Sequence, residues 1–171
     1  MSCSFKWRLR AGGRLAQALG AAAEGLVNED EEEGAQLMAI TPYLYYEDVG
    51  GALKFLAKAF GFRKYGAQVL GPDRKINHAA MKLGDDLIMM GRPPSGYRNP
   101  KRLGQATQSL YINVSDVDKH FERAKKAGAT ILEEPADTEY GHRRYGAEDL
   151  EGHQWYFARE IYRPKSKRKT G

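Results

Sequence analysis

The sequence predicts an α+β fold that consists of two βαβββ modules. Two observations predict this fold. Residues 41–61, TPYLYYEDVGGALKFLAKAFG, align without a gap on residues 109–129, SLYINVSDVDKHFERAKKAGA. Much further along the chain, Gly84 and Gly152 keep the same offset of 68 residues. A repeat at one constant offset indicates a structural unit that is made twice.

The first module, residues 39–91, opens with an alternating strand at residues 43–46 and a helix that follows Asp48. An aspartate in this place caps a helix, because its carboxylate accepts hydrogen bonds from N–H groups of the first turn. An apolar stripe at helical spacing follows, and Gly61 predicts the end of the helix. The runs YGAQVL, INHAAMKL and DLIMMG then predict three strands. The stripe consists of Leu53, Leu56 and Phe60.

The second module, residues 108–160, has the same order of elements. A strand at residues 110–114 leads to Asp116 as a helix cap, and Gly128 predicts the end of that helix. The runs ATILEE, RRYGAEDL and HQWYFAR predict the three strands that complete the module. The apolar stripe of this helix consists of Val117, Phe121 and Ala124.

Three segments lie outside the modules. Residues 92–107, RPPSGYRNPKRLGQAT, are rich in Gly and Pro, which predicts a linker and rim loop rather than a helix. Residues 1–37 lack the pattern of the modules and predict a disordered leader, with Met38 as the hypothetical true start. Residues 161–171 predict a disordered basic tail.

The net charge of +5 is concentrated in that tail, which holds five basic residues and no acidic one after Tyr162. We therefore expect no nucleic-acid partner, because no aromatic platform accompanies the basic residues. Cys3 is the single cysteine, which excludes a disulfide within the chain and favours a cytoplasmic location. No apolar run approaches membrane-spanning length, so we expect no membrane partner.

Several motifs carry a resemblance to a known family. A D-V pair opens each predicted helix, AGAT follows the second helix, and EDLEGHQWYF closes the second module. Between about residues 39 and 160, the chain resembles the vicinal oxygen chelate superfamily, which includes glyoxalases, bleomycin-resistance proteins and extradiol dioxygenases. The resemblance implies two half-cups that face each other around a ligand, and it implies a homodimer. It does not fix the activity, because one fold hosts many chemistries.

The resemblance also implies where a metal ion would be held, in the first and last strands of each module. The corresponding positions are Thr41, Ile88, Ser109 and Tyr156. Divalent transition metals require imidazole, carboxylate or thiolate donors, and these four side chains supply none. We therefore predict no metal ion at this place and no cofactor.

If these four positions point into the cup, strand alternation sends the residues two places away to the same face. The predicted cup then has aromatic walls with a few hydroxyl and amide groups, which suits an organic ligand. Alternatively, the tyrosines fill the cup and leave no pocket. Asp86 is a weak candidate for a general base if it is buried, and an exposed turn residue otherwise. The predicted ligand-binding residues are Thr41, Tyr43, Tyr45, Ile88, Met90, Ser109, Tyr111, Asn113, Gln154 and Tyr156.

The four histidines do not form a metal-ligand spacing or a catalytic triad in the sequence. His120 follows a lysine on the second helix, which predicts a surface position. His153 lies beside a turn and predicts a structural hydrogen bond there. His142 lies in a segment that could close over the cup. His78 lies on the third strand of module one, and its side chain could point to either face of the sheet.

Three functions fit these observations. The first is a metal-independent protein that binds a small aromatic or amphipathic molecule, resembling the bleomycin-resistance proteins. The second is an enzyme, a glyoxalase-like lyase or isomerase or a dioxygenase, that uses metal or acid–base groups outside the usual positions. The third is an interaction module whose cup is filled and which catalyses nothing.

Overall fold

Two four-stranded mixed sheets, each packed against a helix, form residues 40–162, the part of the chain that a computed structural model describes. This architecture confirms the predicted α+β fold and its two βαβββ modules. The strands of the first module are β1 (Tyr43–Tyr45), β2 (Arg63–Leu70), β3 (Ile76–Leu83) and β4 (Asp86–Gly91). Those of the second are β5 (Ser109–Asn113), β6 (Thr130–Asp137), β7 (His142–Glu148) and β8 (Gln154–Glu160). The helices are α1 (Val49–Ala59), α2 (Pro100–Leu103) and α3 (Val117–Ala127).

The two sheets have the same topology. Their strand orders are β1-β4-β3-β2 and β5-β8-β7-β6. In each sheet the first strand of the module lies at the edge and pairs in parallel with the last strand. The other neighbours are antiparallel. Each module therefore places its first and last strands side by side.

The helix caps form where the sequence predicts them. The Asp48 carboxylate accepts a hydrogen bond of 3.0 Å from the backbone N–H of Gly51 at the start of α1. Asp116 accepts one of 3.0 Å from Lys119 at the start of α3. Gly128 ends α3 with a φ of 93°, a left-handed conformation that glycine adopts without a steric cost.

One hydrophobic core lies between the helices and the inner faces of both sheets. The Phe60 ring, at the end of α1, lies 5.5 Å from the Trp155 ring and 4.8 Å from the Phe157 ring, which both belong to the second sheet. Leu44 and Tyr46 supply the corresponding inner face of the first sheet. The outer faces of the two sheets are consequently left open.

The ladders correct the predicted register of the last strand in module one. Tyr43 pairs with Met89, whereas Tyr111 pairs with Tyr156, so Met89 rather than Ile88 corresponds to Tyr156. The offset of 68 residues between Tyr43 and Tyr111 therefore shortens by one residue between Met89 and Tyr156. A shift of one residue turns every side chain of a strand to the opposite face.

The linker contains one helical turn, so the prediction that this segment holds no helix was wrong. The Asn99 side chain caps α2 by accepting a hydrogen bond of 2.9 Å from Arg102, and Pro100 occupies the first helical position. Gly104 closes the turn with a φ of 73°. Pro at the start and Gly after the end are common at helix termini, so this turn had a signal in the sequence.

Residues 149–153, here called the acidic turn, connect β7 to β8 and are buried except for Leu150. The Asp149 carboxylate accepts hydrogen bonds from the Tyr46 hydroxyl at 2.6 Å and from the Trp155 indole N–H at 3.0 Å. It also accepts the backbone N–H groups of Glu151 and His153, at 3.0 and 3.1 Å. Because Tyr46 belongs to module one, this carboxylate joins the two modules.

Glu151, in the same turn, holds the linker against both modules. Its carboxylate accepts the backbone N–H groups of Glu47 and Asp48, each at 2.9 Å, and the Asn99 side-chain amide at 3.3 Å. Its backbone carbonyl accepts the N–H of Lys101 at 2.9 Å. The linker is thus fixed by buried hydrogen bonds.

The predicted leader, residues 1–37, lies outside the described residues, and so do residues 163–171 of the predicted tail. The first two tail residues are described: Ile161 and Tyr162 both donate backbone hydrogen bonds to the Gly141 carbonyl. Within residues 40–162, every helix is too short or too polar to cross a membrane.

Candidate functional site

The open face of the first sheet carries Tyr43 and Tyr45, whose exposed fractions are 46% and 42%. Met89 and Gly91 are their neighbours on β4. Gly91 makes room for Tyr43, because a Cβ atom at that position would overlap the Tyr43 hydroxyl. That hydroxyl lies 3.1 Å from Nδ1 of His78 on β3, and the two rings are stacked. The first open face therefore carries a Tyr–His pair.

Aromatic rings continue from this pair to the linker. The ring centroids are 5.7 Å apart for His78 and Tyr43, 5.6 Å for Tyr43 and Tyr45, and 5.6 Å for Tyr45 and Tyr97. The Tyr97 hydroxyl donates a hydrogen bond of 3.4 Å to the Tyr45 carbonyl. Partial burial raises the pKa of the Tyr97 phenol, and the nearby carboxylate of Glu151 raises it further, so this hydroxyl remains a donor at neutral pH.

The open face of the second sheet carries a second Tyr–His pair. The Tyr111 hydroxyl on β5 lies 2.8 Å from Nδ1 of His142 at the start of β7. The Tyr140 ring packs edge-on against His142 at 5.4 Å. Burial raises the pKa of the Tyr111 phenol, and a hydrogen bond to Tyr140 adds to this, so the phenol is neutral near pH 7.

Tyr156 forms the centre of the same face. Its ring lies over Gly146, where a Cβ atom would stand 2.9 Å from the ring. The Arg144 guanidinium lies 4.8 Å from the centre of the Tyr156 ring and donates a hydrogen bond of 2.8 Å to Glu133. Burial and the Glu133 carboxylate raise the pKa of the Tyr156 phenol. Beside it, Gln154 is held by Glu148 at 3.3 Å.

The open faces differ in charge. On the first, the ladder between β2 and β3 places Arg63 beside Lys82, and the Lys82 ammonium lies over the Tyr65 ring. On the second, Glu133 and Glu148 flank the aromatic residues, and Arg144 is paired with Glu133. The first face is therefore basic and the second is mainly acidic.

The structure distributes the predicted ligand-binding residues over these two faces and the core. Tyr43 and Tyr45 belong to the first face by strand alternation, and Thr41 lies two residues before β1. The second face carries Ser109, Tyr111, Asn113, Gln154 and Tyr156. The placement of Ile88 and Met90 was wrong. Both side chains are buried in the core, with 5% and 0% exposed, because of the register shift in module one. Leu87 and Met89 take their places on the open face.

Asp86 is not buried, so it lacks the environment expected of the candidate general base. It is exposed at the start of β4, beside a wide groove of about 760 Å³. It also borders a cleft of about 260 Å³ between the two sheets, which Ile88, Tyr111 and Asn113 line as well. Tyr43 and Tyr45 line a different groove. The described cavities of one chain thus divide the predicted site residues between them.

The side chains at the usual metal positions do not suit a metal ion. Thr41, Ser109 and Tyr156 offer hydroxyl oxygens, and Ile88 offers no donor. Met89, which corresponds to Tyr156 in the structure, offers only a thioether sulfur. Within residues 40–162, no three His, Cys, Asp or Glu side chains come together in a group that could hold a metal ion. The superfamily's metal chemistry therefore has no fitting donor set among the described residues.

The prediction that His120 lies on the surface was wrong. Its Nδ1 lies 2.6 Å from the Tyr145 hydroxyl, and its Nε2 lies 3.0 Å from the Phe60 carbonyl. Burial lowers the pKa of His120, and Nε2–H donates to Phe60 while Nδ1 accepts from Tyr145. The His153 side chain makes a structural hydrogen bond, as predicted, but it reaches the Tyr45 carbonyl on β1, 2.9 Å from Nε2, and not a group in the turn.

Sequence reasoning missed Met89 and Tyr97, and it left the face of His78 open. Strand alternation from Tyr43 through the correct register would have found Met89. Tyr97 had no local signal, because its place depends on the buried contacts of the linker with Glu151.

Comparison with known proteins agrees with this fold. A family model described as the Glyoxalase/Bleomycin resistance protein/Dioxygenase superfamily matches residues 36–157. An uncharacterized protein of Mycobacterium bovis is 34% identical over 130 residues, which cover 72% of this chain and 84% of that protein. One of Mycobacterium tuberculosis has the same identity, with 75% of its length covered.

Solved structures give the same result. TioX from Micromonospora sp. ML1 has a TM-score of 0.60 at 34% identity, covering 72% of this chain and 99% of that chain. The fosfomycin resistance protein FosX of Listeria monocytogenes has a TM-score of 0.54 at 15% identity, covering 71% and 91%. At that identity the likeness to FosX shows the fold alone. From the family match and the mycobacterial relatives, the chain belongs to the Glyoxalase/Bleomycin resistance protein/Dioxygenase superfamily.

Proposed function

We propose that the protein binds a small aromatic or amphipathic molecule without a metal ion, in the manner of the bleomycin-resistance proteins of its superfamily. The observation that carries the proposal is the exposure of tyrosines on both open faces. Tyr43, Tyr45 and Tyr111 are each 42–46% exposed. Large aromatic side chains with a few fixed polar groups form the usual lining of small-molecule sites.

The proposed binding unit is a homodimer with two shared cups. Each chain presents one basic and one mainly acidic open face, so the first face of one copy complements the second face of its partner. A twofold axis repeats this contact and produces two equal cups. Each cup then contains Tyr43 and His78 from one chain and Tyr111 and His142 from the other. We also propose a cytoplasmic location, with neither a nucleic acid nor a membrane as a partner.

Mixing two variants tests the shared cup. Y43A/Y45A removes the aromatic residues of the first face, and Y111A/Y156A removes those of the second. Each variant alone is expected to lose binding of 8-anilinonaphthalene-1-sulfonate, an amphipathic aromatic probe whose fluorescence reports binding. A mixed dimer would contain one intact cup and one doubly altered cup, so random co-assembly restores about a quarter of the sites.

The control is L150A, because Leu150 is half-exposed in the acidic turn, outside the strands that carry the two open faces. Restoration in the co-expressed mixture, together with a dimer in sizing chromatography, supports the proposal. No restoration from two folded variants would contradict a cup shared between chains. Absence of probe binding by the unaltered protein would favour the filled interaction module.

The Tyr–His pairs favour an enzymatic function as the second candidate. A phenol that lies 2.8 Å from an imidazole, as Tyr111 does from His142, is arranged for proton transfer to a bound molecule. For an acid–base reaction, Y111F and H142Q are expected to lower turnover of a bound compound without loss of its binding. A stoichiometric metal ion in elemental analysis, or several degrees of thermal stabilisation by added Ni, Zn, Mn or Fe, would contradict metal-independent binding.

A further inference from the structure

The linker and the edge of the first sheet enclose a groove that shares Tyr43 and Tyr45 with the proposed cup and extends beyond it to the linker. Its volume is about 180 Å³, and Tyr43, Tyr45 and Tyr97 form its aromatic wall. Leu103, which is 48% exposed, lines it as well. A water molecule takes about 30 Å³ of liquid volume, so the groove has room for one six-membered ring with a small substituent.

The polar groups of the groove are suited to an amide. Gln105 and Gln108 line it, and the side chain of a glutamine offers both a hydrogen-bond donor and an acceptor. The third polar element is strand β1, which lies at the edge of its sheet. Because β1 pairs with β4 on one side only, alternate residues direct their backbone N–H and C=O groups away from β4. Tyr43 and Tyr45 are these residues, and their backbone groups face the groove. The Tyr45 carbonyl accepts hydrogen bonds from the Tyr97 hydroxyl and from Nε2 of His153, and these bonds fix the edge strand in place.

The walls are held in place before any ligand arrives. Asn99 is buried, with 7% exposed, and its side chain bonds to both Arg102 and Glu151. The backbone of Lys101 bonds to Glu151 as well. Tyr97 is therefore fixed edge-on to Tyr45, at 5.6 Å and an interplanar angle of 60°. A site with ordered walls loses little entropy when a ligand binds.

We propose that this linker groove is a second small-molecule site, which takes a flat aromatic ring that carries an amide group. The ring packs against Tyr45 and Tyr97, and the amide bonds to the edge of β1 and to the glutamine side chains. This site goes beyond the proposed cup, and it excludes Tyr111, Tyr156 and the rest of the second sheet.

The test uses benzamide as the probe and cyclohexanecarboxamide as its saturated counterpart, each titrated into the full chain by NMR. Benzamide is expected to bind with a millimolar dissociation constant, and the saturated compound more weakly. Y97L is expected to weaken benzamide binding about fivefold, which corresponds to the loss of one edge-to-face ring contact. L103E, which places a charge at the exposed rim of the groove, is expected to weaken it as well.

The matched control is Y65L, because Tyr65 is a half-exposed tyrosine at the opposite edge of the same sheet. It is expected to leave benzamide binding unchanged. Equal effects of Y65L and Y97L, equal binding of the two compounds, or no benzamide binding would each overturn the inference. Y111A/Y156A separates this site from the cup: it abolishes the cup's probe binding and leaves benzamide binding intact. If Y97L fails to fold, as judged by circular dichroism, L103E and Y65L decide the outcome.

Discussion

Replacing Asp149 by alanine is expected to destabilise the protein strongly. The Asp149 carboxylate is 5% exposed, and its side-chain donors Tyr46 and Trp155 are 1% and 0% exposed, so water does not replace the lost acceptor. Each buried donor left without a partner costs about 1–3 kcal/mol. The two side-chain donors alone therefore predict a loss of about 2–6 kcal/mol in the free energy of unfolding. D149N keeps one accepting oxygen and is expected to lose roughly half as much.

Urea titration followed by tryptophan fluorescence measures these losses. The control is D73A, because Asp73 forms an ion pair of similar length, 2.7 Å with Arg92, at an exposed position. D73A is expected to leave the urea midpoint unchanged, since exposed ion pairs contribute little. The reasoning is refuted if D149A unfolds at the same midpoint as D73A. If D149A does not fold at all, D149N still gives a graded measurement.

Three further predictions concern other parts of the chain. Burial lowers the pKa of His120 below its ordinary value of 6.5, so the folded state resists protonation and stability falls as the pH drops below that value. H120Q is expected to reduce this slope, which reaches at most about 1.4 kcal/mol per pH unit, in urea titrations at about pH 7.5 and 5.5. G91A is expected to displace the Tyr43 hydroxyl, to lower the free energy of unfolding by about 1 kcal/mol and to weaken probe binding, measured by urea titration and fluorescence. D48A removes the cap of α1 and is expected to cost about 1 kcal/mol in thermal unfolding followed by circular dichroism.

The fold could be predicted because each module repeats strong local signals. Asp48 and Asp116 begin helices through contacts within one turn, and the strand runs have the alternation of half-buried strands. Such signals depend on neighbours in sequence and do not require knowledge of the tertiary structure.

The orientation of the last strand in module one could not be predicted from the same signals. The run DLIMMG is apolar on both faces, so alternation alone does not choose between Ile88 and Met89. The choice depends on the pairing of β4 with β1, which the residues of β4 do not reveal. An ungapped alignment of the two modules hides this shift of one residue, because Gly84 and Gly152 keep the original offset.

The site could be predicted in part for a similar reason. Tyr111, Asn113, Gln154 and Tyr156 follow from alternation in module two, where the register was correct. His120 was placed wrongly because its partners, Tyr145 and Phe60, come from distant segments that sequence spacing does not reveal.

The acidic turn has a consequence for how sequences of this type are interpreted. The run EDLEGHQWYF looks like a catalytic signature. In the structure, however, the side chains of Asp149, Glu151 and His153 form hydrogen bonds that hold the two modules and the linker together. The presence of this run in a sequence therefore indicates how the modules are joined and does not indicate an activity. Residues on the two open faces can consequently be substituted to suit a different ligand without loss of the hydrogen bonds that join the modules.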